Sequence, residues 1–138
     1  MNKLKKILII DDDRISTFLT NRIVDSSLMV ECVETFYQSE VALASLKKAL
    51  FNLTELPDLI LLDINMPILD GWDFINELQK TSNYKPIPIV ILSSSIYKED
   101  QDKSESYIEI KGYLIKPLTL DKFNKIIQQI FTSASDVA

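Results

Sequence analysis

Five side chains in this sequence could carry chemistry together: the neighbouring carboxylates Asp11 and Asp12, a third carboxylate at Asp63, the hydroxyl of Ser93 and the ammonium of Lys116. Each stands at the end of a short apolar run, in "ILIIDDD", "LILLD", "VILSSS" and "YLIKP". Two carboxylates held about 4 Å apart repel by roughly 4 kcal/mol at an effective dielectric of about 20. Asp11 and Asp12 therefore either turn apart into water or share a cation. Mg²⁺ is a hard cation that favours oxygen ligands and keeps some of its waters, so it suits aspartates with no histidine or thiolate among them. A carboxylate such as Asp63 can accept a phosphoryl group as an acyl phosphate. The metal, the lysine and the hydroxyl would then stabilise charge on the phosphoryl oxygens.

Taken one at a time, these residues have ordinary roles. Asp13 reads as the N-cap of a helix opening at Arg14, and Asp70 before Gly71 reads as another cap. Asp63 could shape a turn, Ser93, Ser94 and Ser95 could be turn residues, and Lys116 could be a surface lysine before Pro117. The set means more only if the fold gathers it.

The elements that must do so alternate in period. Nearly continuous apolar runs at Lys5 to Ile10, Val30 to Thr35, Leu59 to Leu62, Ile87 to Leu92 and Tyr113 to Ile115 predict strands buried on both faces. Helical spacing lies between and after them: Ile15, Phe18, Leu19 and Ile23; Val41, Leu43, Ala44, Leu46 and Leu50; Trp72, Phe74, Ile75 and Leu78; and Leu120, Phe123, Ile127 and Ile130. The fourth interval, "IYKEDQDKSESYIEI", is polar and gives the weakest helical signal. Five strands alternating with five helices imply an α/β fold with a doubly wound parallel sheet and right-handed crossovers. In such sheets ligands sit outside the carboxyl ends of the strands. Strands one, three, four and five carry Asp11 and Asp12, Asp63, Ser93 and Lys116 at those ends, so the fold would bring residues scattered over the chain to one edge.

Composition narrows the function classes. With 138 residues, 46% hydrophobic and 25% charged, one domain that buries its own core is expected, with no boundary inside it. The chain has no histidine and one cysteine, Cys32, which excludes histidine-based triads, the usual zinc sets and an internal disulfide. The net charge of −5 and pI near 4.7 argue against a nucleic-acid partner. The apolar run of "MNKLKKILII" is too short for a signal-peptide core, and no run approaches membrane-span length, so a cytoplasmic protein without a membrane partner is expected. With Gly71 and Gly112 as the only glycines, there is no phosphate-binding glycine loop. An EF-hand reading of "DINMPILDG" fails at Pro67 and at its misplaced glycine. A phosphatase of the Asp-x-Asp type would need an acid where Asn65 stands.

"ILIIDDD", "LILLDINMPILDGWDFI", "IPIVILSSS" and "GYLIKP", in this order and spacing, resemble the CheY-like receiver domain of two-component response regulators over residues 5–132, nearly the whole chain. The resemblance implies a flavodoxin-like sheet of order 2-1-3-4-5, with Asp63 as phosphoacceptor and Mg²⁺ as cofactor. It implies Asp12 as a direct metal ligand, Asp11 as one acting largely through water, and the Asn65 backbone carbonyl as a further ligand. Ser93 and Lys116 would stabilise the phosphoryl group, Ser93 and Tyr113 would form the switch, and the Lys116–Pro117 bond would be cis. The donor would be a sensor histidine kinase or a histidine phosphotransfer protein. Because the sequence closes at "FTSASDVA" soon after the fifth helix, a single receiver domain over residues 1–138 is expected, with a separate effector protein or a phosphate-sink role as its output. A receiver-like module that binds partners without being phosphorylated is the alternative. Small residues usual before the fifth strand are replaced here by Ile108, Glu109 and Ile110.

Overall fold

The computed structural model describes residues 3–132. The first two residues of the basic start and the tail from 133 to 138 lie outside the described residues. The order is β1 (Leu4–Ile10), α1 (Arg14–Ser27), β2 (Val30–Phe36), α2 (Ser39–Asn52), β3 (Leu59–Leu62), α3 (Gly71–Gln79), β4 (Ile89–Ser93), α4 (Lys98–Ser104), β5 (Ile110–Ile115) and α5 (Leu120–Ile127), which runs on into a π-helical turn, Gln128–Thr132. The sheet is parallel throughout, in the order β2-β1-β3-β4-β5. The alternating periods predict this doubly wound parallel sheet, and the receiver resemblance implies its flavodoxin-like order.

The sheet separates two apolar layers. Leu8, Ile10, Ile60, Leu62, Ile89 and Ile91 point to the side packed by α2 and α3, where Leu46, Leu50, Phe74 and Leu78 meet them. Ile7, Ile9, Leu59, Leu61, Val90 and Leu92 face the other side with Val24 of α1 and Phe123, Ile126 and Ile127 of α5. A central strand buried on both faces has no polar positions, which is why β3 reads "LILL".

Three expectations shift in the structure. β4 starts at Ile89 instead of Ile87, because Pro88 has no N–H to give to a ladder and contributes its carbonyl to Ile60 N–H alone, at 3.0 Å. β5 starts earlier, at Ile110, with a register shift between Ile89/Ile110 and Val90/Gly112 that an apolar count does not reveal. The largest difference is on α1, whose stripe of Ile15, Phe18 and Leu19 faces solvent at 75, 60 and 50% exposure, while Thr17, Thr20 and Val24 are the buried positions. Short threonines fit where the helix lies close to the sheet, and Thr17 Oγ1 is satisfied by the Arg14 carbonyl at 2.9 Å.

α4 has seven residues and buries only Ser104 among them. Its far end is tied down: Tyr107 stacks on Trp72 of α3 at 5.6 Å between centroids and donates from its hydroxyl to Asn76 Oδ1 at 2.9 Å. Glu109 is buried just beyond, where small residues were expected, and accepts from the Tyr84 hydroxyl and from Gln79 Nε2 at 2.8 Å. Burial raises the Tyr84 pKa, helped by the Glu109 carboxylate beside it.

Candidate functional site

Each strand end delivers its residue to one edge. β1 stops at Ile10 because the backbone turns at Asp11, whose Oδ1 accepts the N–H of Asp13 at 3.0 Å. Asp13 then caps α1, taking the N–H groups of Ile15 at 2.9 Å and Ser16 at 3.1 Å, so its carboxylate is committed to the helix. Asp12, between them, is exposed at the mouth.

β3 ends at Asp63, which is buried and accepts the N–H of Asn65 on Oδ1 at 3.0 Å. Gly71, at the start of α3, crosses directly behind this turn: a Cβ there would lie 2.7 Å from Ile64 Cα and 2.9 Å from the Asp63 carbonyl oxygen. Only glycine lets α3 approach so closely. Asp70 caps the same helix through the N–H of Asp73 at 2.8 Å.

Lys116 closes the site from β5. Its Nζ lies 2.7 Å from Asp11 Oδ2 and 2.9 Å from Asp63 Oδ2, with little solvent on any of the three side chains. Burial works against the ammonium, but the bonds to Asp11 and Asp63 and their negative charge outweigh it and hold the Lys116 pKa above the ordinary lysine value. Burial also lifts the Asp63 carboxyl above the ordinary aspartate range, opposed by the Asn65 N–H and by Lys116. The peptide bond from Lys116 to Pro117 is cis.

Ser93 is fully buried at the end of β4. Its Oγ accepts the N–H of Ser95 at 3.1 Å and lies 3.5 Å from Asn65 Nδ2. Tyr113, half-buried on β5, donates from its hydroxyl to the Ser95 carbonyl at 2.9 Å. Ser95 and Asp100, which bond to one another through the serine hydroxyl, were not singled out from sequence. Their types are those of any polar turn, and no spacing signal marks them.

One carboxylate oxygen from each of Asp11, Asp12 and Asp63 falls within 4.8 Å of the others. All the donors are oxygen, two of the three carboxylates are buried, and one lysine partners two of the three, so the set fits a hard divalent cation and lacks the ligands of a soft one. Beside it runs an open groove of about 320 Å³, lined by Ile15 and Leu19 of α1 together with Ser94, Lys116, Pro117 and Leu118.

Comparison with known proteins agrees with this fold. Residues 7–128 match the family described as "Response regulator receiver domain". A two-component response regulator from Cytophaga hutchinsonii superposes with a TM-score of 0.85 at 29% identity, covering 95% of this chain and 99% of that one. Response regulator Rcp1 of Synechocystis is 28% identical over 130 residues, 94% of this chain and 88% of its own length. The Mn(2+)-bound form of a response regulator Rcp1 superposes with a TM-score of 0.71 at 27% identity, over 92% of this chain and 94% of that one. The phosphorylated cyanobacterial phytochrome response regulator RcpA gives a TM-score of 0.74 at 29% identity, over 95% of this chain and 96% of that one.

Proposed function

This chain belongs to the response regulator receiver family, and on that premise we propose that it accepts a phosphoryl group on Asp63 from a sensor histidine kinase or a histidine phosphotransfer protein and signals to an effector protein through a change of conformation. The observation that carries the reading is the bridge from Lys116 to both Asp11 and Asp63, with Asp12 alongside, at the strand edge where such sheets hold ligands.

Asp11, Asp12, Asp63 and the backbone carbonyl of Asn65 would hold Mg²⁺, which when bound neutralises charge on the phosphoryl oxygens. The chain's own residues do the rest. Asp63 attacks phosphorus through a carboxylate oxygen, and the phosphorus bond to the donor's leaving atom breaks as the acyl phosphate forms. Lys116, already aimed at Asp63, supplies positive charge to the incoming oxygens, and the Ser93 hydroxyl, close to Asn65, donates to one of them. Rotation of Ser93 toward the phosphoryl group biases an existing equilibrium, and Tyr113, tied to Ser95, reports it at the surface. Ile15 and Leu19 line the groove, Phe18 is exposed on the same helix, and the three suit docking of a histidine-bearing helix from the donor.

Acetyl phosphate with Mg²⁺, followed by intact mass, tests the reading. One phosphoryl adduct is expected, absent after chelation and absent in Asp63→Asn. A full acid-labile adduct in Asp63→Asn would overturn the site, and no adduct in the wild type would favour a module that acts by binding alone.

A further inference from the structure

Ser95 is buried and makes four hydrogen bonds, one of them accepted by its Oγ from the N–H of Tyr97 at 3.4 Å, just before α4. Its N–H donates to Ser93 Oγ at 3.1 Å, its carbonyl accepts from the Tyr113 hydroxyl at 2.9 Å, and its hydroxyl donates to Asp100 Oδ2. Asp100 sits in the first turn of α4. That helix has little else to hold it at this end, since Ile96, Tyr97, Lys98 and Glu99 are exposed and Ser104 is its one buried residue. The opposite end is anchored by the Trp72–Tyr107 stack and by the bonds that Glu109 accepts. α4 is thus fixed at its C-terminal end and hung at its N-terminal end from a single serine.

We propose that the Ser95–Asp100 hydrogen bond is an autoinhibitory latch, which holds the first turn of α4 in the unphosphorylated arrangement and releases it when Ser93 moves toward the phosphoryl group. The trigger rests on the function proposed above, whereas the latch itself rests on the contacts of Ser95. Ser95 N–H follows Ser93 Oγ because a buried donor left unpaired is costly. Ser95 cannot then keep both its hydroxyl on Asp100 and its carbonyl on Tyr113. The bond to Asp100, at the half-exposed end, gives way, and α4 pivots on Tyr107. Asp100 touches no reacting atom and is a positioning residue.

A contact made only in the resting state lowers the affinity for any ligand that selects the other state, and its deletion raises that affinity by the same factor. Asp100→Ala should therefore bind beryllofluoride with Mg²⁺ roughly fivefold more tightly than the wild type. With neither ligand nor metal present, amide exchange over residues 96–103 should already be faster in Asp100→Ala, while β1 and β3 keep wild-type protection. Asp100→Asn retains an acceptor oxygen and should stay close to the wild type, which separates the bond from the first-turn charge that both variants lose. Ser95→Ala, which also removes the acceptor of the Tyr97 N–H, should loosen the turn at least as much as Asp100→Ala, and adding Asp100→Ala to it should change nothing further. Unchanged or weaker beryllofluoride binding in Asp100→Ala overturns the latch, as does unchanged exchange over residues 96–103. If the wild type takes neither acetyl phosphate nor beryllofluoride, the phosphoacceptor reading fails. The metal-free exchange comparison then decides the latch alone, faster exchange upholding it and unchanged exchange overturning it.

Discussion

Asp12 and Asp13 are adjacent and chemically identical, yet the fold gives them different work. Asp13 is occupied by the N–H groups of Ile15 and Ser16, whereas an oxygen of Asp12 lies within 4.8 Å of partners on Asp11 and Asp63. Asp12→Ala is expected to weaken Mg²⁺ binding strongly, and with no cation present it relieves repulsion and leaves stability unchanged or raised. Asp13→Ala should keep most of the metal affinity and lose about 1 kcal/mol of stability. Metal titration and urea denaturation of the two variants check the pair, and equal losses of affinity would mean that the cluster is wrongly chosen. This division was legible in the sequence, because a third aspartate just before a helical pattern is a capping position. The roles of Ser95 and Asp100 were not legible: a serine and an aspartate in a polar stretch acquire meaning only from the atoms they meet, and those come from β4, β5 and α4 together.

At the level of elements, the existence of the five strands followed from apolar runs, but burial on both faces holds for the inner strands only, since β2 and β5 lie at the sheet edges and are half-buried or exposed along their length. Helix orientation followed less well. The apolar spacing of α1 marks a helix, but three of its residues lie outside the core, because such spacing reports that a stripe exists and not what covers it. Ile15 and Leu19 line the groove at Lys116 and Pro117, and Phe18 is exposed on the same helix, which makes the helix testable as the donor's docking surface. Phe18→Asp should leave phosphorylation by acetyl phosphate near the wild-type rate and slow transfer from a phosphorylated histidine donor by at least tenfold, if Phe18 contributes about 1.4 kcal/mol or more to docking. Equal rates with both donors would remove α1 from the docking surface. The two glycines differ in the same testable way. Gly71→Ala drives a methyl group into the backbone behind Asp63 and should cost about 2 kcal/mol or more, with slower phosphorylation. Gly112→Ala meets side chains alone, Ile126 Cδ1 at 2.7 Å, which can turn away, and Val90 at an ordinary 4.0 Å, and it should cost less. Thermal melts of the two variants decide the order.

For the molecule as a whole, the chemistry lies at one edge of the sheet and a second polar cluster, around Glu109, lies near the start of β5. Burial acts to raise the Glu109 pKa, but the bonds from Tyr84 and Gln79 and the charge of Lys111 outweigh it and hold it below the ordinary glutamate value of 4.5. A carboxyl with a lower pKa folded than unfolded adds stability above its unfolded value and loses it as pH falls toward its folded one. Glu109→Gln is therefore expected to cost about 1 to 2 kcal/mol at neutral pH and to lose stability less steeply than the wild type below pH 4.5. Urea denaturation at neutral and acid pH measures both effects, and parallel acid limbs would deny Glu109 this part. The gathering of Asp11, Asp63 and Lys116 could be anticipated because a parallel sheet brings its strand ends to one edge, and the sheet order followed from the receiver resemblance, while the Glu109 cluster depends on long-range pairings that sequence spacing does not encode. The bond from Lys116 to Asp11 spans 105 positions of the chain. During synthesis the aspartates leave the ribosome long before the lysine does. A nascent or truncated polypeptide that ends before β5 thus presents its carboxylates without their counter-charge, so the completed cluster certifies that translation has passed the last strand and that the sheet has closed.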